Sequence, residues 1–311
     1  MRAHLRDDEA AVLLVQTLRT LSMDAAAGPG RLSAASGLAH CGEWLHVVAD
    51  DELKLASFRL GDAQPGRWCQ LFDGDLPLPH AARKAAKPDL EALALLPPFA
   101  GHACGALLAM GSGSTTRRQR AALVPLDAQG QVSGAPQVID VAPLLASLRA
   151  QFADLNIEGA FVDGERFCLL QRGHQRDPAN ACIAFDWPAV QRWLVAAGPA
   201  PVPDAIARFE LGHIGGAALC FTDGAALPEG GFVFCAAAEQ TDDVYADGAC
   251  LGSAVGLVDA QGRLQRMEPL ALRCKAEGIS TRAAADGLQL LLVTDADDRS
   301  APALLLSATL R

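Results

Sequence analysis

The chain has 311 residues, half of them apolar, and its 36 Asp and Glu outnumber 26 Lys and Arg to leave a net charge of −10. That is enough apolar residue for a large core, yet no run approaches the roughly 18 unbroken apolar residues of a membrane span, and the acidic balance disfavours a phosphate backbone. Neither a membrane nor a nucleic acid is therefore an expected partner.

Met1 to Glu9 is charged, and the apolar stretch behind it is broken by Gln16 and Arg19, unlike a signal peptide. The expected location is the cytoplasm. Nine cysteines without a Cys-x-x-Cys pair suit reduced, buried thiols better than a disulfide framework or a zinc site.

Residues 11–22 read as a strand, mostly apolar and without a helix cap. After the Gly28-Pro29-Gly30 breaker, strands are expected at 35–40, 43–49, 53–60 and 67–72, then at 90–96, 105–110, 120–126 and 136–141. A helix over 142–153 precedes strands at 157–162, 166–171 and 181–186 and a less regular element near 205–211. Next come 214–221, 231–237, 253–258 and 263–272, and finally 276–281, 288–294 and 303–309. The turn Asp259-Ala260-Gln261-Gly262 copies Asp127-Ala128-Gln129-Gly130, and both suit hairpin connections.

These strands fall into units. Asn156-Ile157-Glu158-Gly159-Ala160-Phe161 lines up with stretches starting at Ala34, Asp89, His213 and Lys275, at intervals of 55, 67, 57 and 62 residues. Self-similarity at such a period marks a repeat architecture. Four strands fill each unit except the last, which supplies three, and the orphan strand 11–22 is the piece left to cover its open edge. The expected fold is all-β: a β-propeller of five four-stranded blades closed by the N-terminal strand, one domain over 1–311. Six blades is the alternative, if 187–211 holds an extra sheet.

Glu-Gly or Glu-Ala recurs at the start of the inner strands. With Leu169-Leu170-Gln171-Arg172-Gly173 and Asp295-Ala296-Asp297-Asp298, it resembles the phytase-like, esterase-like propellers of bacteria. The resemblance spans most of the chain and implies a propeller, calcium dependence and action on phosphoesters. Ser36 and Gly215 stand where the other units carry Glu.

In a propeller, the loop leading into each inner strand and the loop between second and third strands share one face. That face is expected to gather Glu91, Glu158 and Glu277, whose mutual repulsion calls for a cation. Oxygen-only ligands suit calcium or magnesium, with Asp295 as a further ligand and no organic cofactor. The competing reading is that each Glu caps backbone amides. Arg117, Arg118, Arg172 and Lys275 are the candidate anion-binding groups, and His213 and His174 the candidate acid and base. Arg176, Asp242 and Asp243 belong to the same loops. No Gly-x-Ser-x-Gly elbow, His-Glu-x-x-His or phosphate-binding loop is present. Two functions fit: a divalent-metal-dependent hydrolase of a small anionic ester, or a non-catalytic propeller that binds a ligand or a protein. Sugar binding is disfavoured by a single Tyr and four Trp.

Overall fold

The computed structural model describes residues 12–25, 30–174, 177, 180–240, 248–284 and 287–310. Arg176, Asp242 and Asp243 lie outside them. Strand β1 (Val15–Thr20) is followed by the first sheet, β2 (Ala35–Cys41), β3 (Trp44–Ala49), β4 (Lys54–Arg59) and β5 (Arg67–Gln70). After helix α1 (His80–Ala86) comes the second, β6 (Leu90–Leu96), β7 (Ala106–Gly111), β8 (Arg120–Pro125) and β9 (Gln137–Asp140). Helix α2 (Ala142–Ala146) leads to β10 (Ile157–Asp163), β11 (Arg166–Gln171) and β12 (Asn180–Asp186). Helix α3 (Trp187–Leu194), capped at its start by the Asp186 carboxylate accepting from the Ala189 amide, intervenes before β13 (Ala205–Phe209) completes the third sheet. The stretch 187–211 thus holds a helix and an outer strand, and no sixth blade.

The fourth sheet has five strands: β14 (His213–Ile214), β15 (Ala217–Ala226), β16 (Phe232–Gln240), β17 (Ala249–Val258) and β18 (Leu264–Pro269). The last joins β19 (Lys275–Ala284), β20 (Gly287–Asp295) and β21 (Leu304–Leu310) to β1, in the order β1-β21-β20-β19. The inner strands touch in a cycle: β2 on β6, β6 on β10, β10 on β15, β15 on β19, and β19 back on β2. This is a five-bladed β-propeller closed by its N-terminal strand.

Closure is antiparallel, from Val15 opposite Ala308 to Thr20 opposite Leu304. The Leu13 amide also donates to the Pro269 carbonyl at 2.8 Å, so the same segment is stitched to the fourth blade. Five apolar clusters fill the gaps between neighbouring blades. Leu13 and Leu21, at 4% and 0% exposure, belong to the two clusters flanking the last blade.

The fourth unit departs from the expected register. Each inner strand carries a bulge at one residue: Ser36, Glu91, Glu158, Thr222 and Glu277. The counterpart of the Glu in this unit is therefore Thr222, not Gly215. Gly215 and Gly216, with φ of 59° and 87°, instead turn the short hairpin between β14 and β15. A Gly-Gly pair serves a hairpin turn as readily as a close strand approach, and sequence similarity does not separate the two.

Deleting residues 1–22 removes β1, exposes the β21 edge and empties two buried leucine sites, each worth about 2–5 kcal/mol by analogy with Leu→Ala changes. The expected result is a fall in melting temperature of many degrees, or failure to fold. An unchanged melt by circular dichroism would overturn the role given to the strand.

Candidate functional site

A bulge re-aims the side chain at its extra residue, and here it brings one side chain per blade to the propeller axis. In the first and fourth blades that residue is a hydroxyl turned onto its neighbour's backbone. Ser36 Oγ donates to the Leu90 carbonyl at 2.5 Å, and Thr222 Oγ1 to that of Ala276 at 2.7 Å. The other three blades contribute Glu91, Glu158 and Glu277, with one carboxylate oxygen from each lying within 4.8 Å of the others.

These acids are unequally compensated. Glu158 accepts from Asn156 Nδ2 at 2.5 Å and pairs with Arg172 at 3.2 Å. Glu277 pairs with Lys275 at 3.2 Å. Glu91 has no hydrogen bond or ion pair among the described residues, and none of the three accepts from a backbone amide there. Burial pushes the Glu91 carboxyl well above the usual range, and Glu158, Asp89 and Asp50 add to the effect. For Glu277 burial, helped by Glu158 and Glu239, outweighs Lys275 and Arg172; Glu158 is raised too, by burial against the pull of Arg172 and Lys275.

A second triad, Asp50, Asp89 and Glu91, shares Glu91 with the first and has the same 4.8 Å spread. The Lys87 ammonium sits against two of these acids, paired with Asp50 and, at 2.9 Å, with Asp89 Oδ1. Asp89 adopts φ of 59°, unusual for a residue with a side chain, and is clamped by Ser112 Oγ at 2.5 Å and Arg118 at 2.8 Å. Helix α1 delivers Lys87 just past its end, and its Arg83 reaches Asp51 at 3.2 Å and Glu52 at 2.7 Å.

Around the opposite rim, Lys275 stands 3.1 Å from Glu239, 3.3 Å from Asp297 and 3.7 Å from Asp295. Arg172 bridges Glu158 and Glu239. Burial, with Asp50 and Asp297 adding to it against Lys275, pushes Asp295 up to about 7. Beside this network a cleft of about 380 Å³ opens between α1 and the loops of the first and last blades; Asp50, Lys87 and Asp295 line it, with Ala249 on its far wall.

The structure thus brings together Glu91, Glu158 and Glu277, and sets Asp295, Arg118, Arg172 and Lys275 around them. All three cations are already ion-paired. Arg117 is exposed and reaches instead toward the Ala85 carbonyl at 3.4 Å. His174 pairs with Asp154 at 3.3 Å, and His213 is exposed on β14; among the described residues neither pairs with Glu91, Glu158 or Glu277. Lys87 and Arg83 went unread. Their only sequence signal is the Ala- and base-rich run 80–87 between Pro79 and Pro88, which favours a short helix.

Residues 31–310 match the family of unknown function DUF6929, and the chain belongs to that family. No curated protein matches it. Among solved structures it is similar to the α-L-arabinofuranosidase of Podospora anserina, with 12% identity over 97% of this chain and 98% of that one and a TM-score of 0.50. It is also similar to a gluconolactonase of Xanthomonas campestris (11% identity, 99% of both chains, TM-score 0.42) and to the WD40 β-propeller domain of Doa1 (9% identity, 94% and 96%, TM-score 0.39). At such identities likeness extends to the fold alone, and no activity carries over. No helix among the described residues is long and apolar enough to cross a membrane.

Glu91, Glu158, Glu277 and Asp295 bind protons more tightly in the folded state than their ordinary values of 4.5 and 3.8 allow when unfolded. The stability they contribute is full below about pH 4 and is lost as pH rises through the folded values, about 7 for Asp295. In chelator, the melting temperature should therefore fall between about pH 5 and about pH 8. A flat profile across that window would mean that the acids are better compensated than the geometry implies.

Proposed function

We propose that the axial mouth is a divalent-cation site, and that with the ion bound the propeller hydrolyses a small anionic ester such as a phosphoester. The observation that carries this is the meeting of three carboxylates from three blades, one oxygen of each within 4.8 Å of the others, with Glu91 in no ion pair among the described residues. Clustered, buried carboxylates either take up protons or hold a cation, and an all-oxygen set suits calcium or magnesium.

Glu91, Glu158 and Glu277 would hold the ion, which when bound would supply Lewis acidity to an ester oxygen. Arg172 and Lys275, fixed by Glu158, Glu239 and Glu277, stand beside that position with charge to set against an oxyanion. Asp295, raised to about 7, is poised to accept or give up a proton near neutrality at the edge of the cleft. The cleft gives a small substrate a place next to the network.

A second reading is a propeller that binds an ion and ligand without turnover. It is favoured by the engagement of Arg118, Arg172 and Lys275 in ion pairs with the network's own carboxylates. Phosphate and carboxyl ester panels with calcium, magnesium or manganese separate the two. Hydrolysis abolished by chelator and by Asp295→Asn supports the first; metal binding without turnover supports the second.

The ion itself is tested by thermal melts. At about 100 times its dissociation constant it should stabilise the fold by about 2.7 kcal/mol. Glu91→Gln is the cleanest variant, because Glu91 has no ion pair to break among the described residues. Without metal it should melt at or above the wild-type temperature, since a neutral amide replaces a carboxyl whose charged form burial and Glu158 disfavour, while its response to calcium shrinks. A wild-type melt indifferent to calcium, magnesium and manganese would end the proposal.

A further inference from the structure

The two carboxylate triads share Glu91, the layout of a centre for two ions. We infer that Lys87 is a tethered counter-cation that fills the second position, so that the mouth takes one divalent ion and not two; the inference rests on the axial ion proposed above. A cation is already seated against two acids of the Asp50–Asp89–Glu91 triad. The Lys87 side chain is 11% exposed, and its ammonium contacts Asp50 and, at 2.9 Å, Asp89.

Charge explains the arrangement. A second divalent ion beside the first would repel it with twice the energy of a single positive charge at the same distance. An ammonium neutralises Asp50 and Asp89 while leaving Glu91, unpaired among the described residues, to the axis. Its position is fixed from outside the network: Pro88 follows it and α1 precedes it, and that helix is held to the first blade by Arg83 on Asp51 and Glu52. Arg118 compensates Asp89 from the other side at 2.8 Å, so the triad keeps a positive neighbour when Lys87 is replaced. Lys87 also lines the cleft, so exchanging it for an ion would change what a ligand meets at the cleft floor.

The test counts manganese ions bound per chain, by equilibrium dialysis with metal analysis, for wild type, Lys87→Met and the double variant Lys87→Met/Asp50→Asn. Lys87→Met keeps an unbranched side chain, one atom shorter, and drops its charge; the double variant also removes one of the orphaned carboxylates. The expected counts are one for wild type, two for Lys87→Met and one for the double variant. If Lys87→Met is unfolded in chelator, folding restored by manganese with two ions bound supports the inference, because one ion then replaces the ammonium, whereas folding restored with one ion bound overturns it. A folded Lys87→Met that binds one ion, a Lys87→Met that manganese does not refold, a double variant that binds two, or a wild type that binds two would each overturn it while leaving the axial ion standing. A wild type that binds none refutes the axial ion itself, and the inference falls with it.

Discussion

Everything at the mouth follows from how closely five inner strands must approach one another to close a ring. Side chains added at Gly37, Gly159 and Gly278 would lie 3.0, 3.1 and 2.9 Å from backbone atoms of Leu93, Asp223 and Leu38 on the next inner strands, so contact at this level is backbone against backbone. Sequence-adjacent bulges then put one residue per blade on a shared axis with little room to turn away. Three of the five are glutamates, and their convergence follows from ring closure and not from any attraction between them. Like charges gathered in this way must be offset, and Arg172, Lys275 and Lys87 supply part of that compensation. Among the described residues of this network, eight carboxylates, Asp50, Asp89, Glu91, Glu158, Glu239, Glu277, Asp295 and Asp297, face the four cations Lys87, Arg118, Arg172 and Lys275.

Much of this was legible because a repeat reads itself. Alternation and turn residues place most strands within a residue or two, and the unmatched strand at 11–22 exposes the closure because a three-strand last unit needs a partner. Glu91, Glu158 and Glu277 follow from the same alignment, since equivalent positions in a closed ring face the same axis. What resists reading is anything the repeat does not contain. Helix α1 is an insertion between blades, so Lys87 has no counterpart in the other units to mark it. Whether a cation is free is also invisible in a sequence: Arg118 and Arg117 are neighbours, yet one is locked onto Asp89 and the other points outward, because the short helical turn at Thr116–Arg118 sends them in different directions.

The fourth blade shows how the symmetry is broken. Aligned on the bulges, the positions that carry Asp89, Asn156 and Lys275 in other blades hold Cys220 here, and those that carry Asp50, Arg172 and Asp295 hold Ala237. With Thr222 on the axis, this blade offers no charge at any of the three levels. Its charge comes from Glu239, two residues beyond Ala237 on a lengthened β16, which reaches back over the mouth to Arg172 and Lys275. In place of glycine after the bulge, the blade has Asp223, 1% exposed, whose Oδ2 accepts from the Ile279 amide at 2.9 Å. Burial pushes this carboxyl well above the usual range, which favours a neutral acid that ties two inner strands together. The carboxylate that other blades place on the axis is thus replaced by two: one buried below it as a fastening, and one raised above it as a countercharge. That division leaves the axial position to the acids of the second, third and fifth blades, with the hydroxyls of Ser36 and Thr222 bonded away from it. A set of three converging carboxylates emerges from a ring whose repeat would otherwise present five equivalent positions.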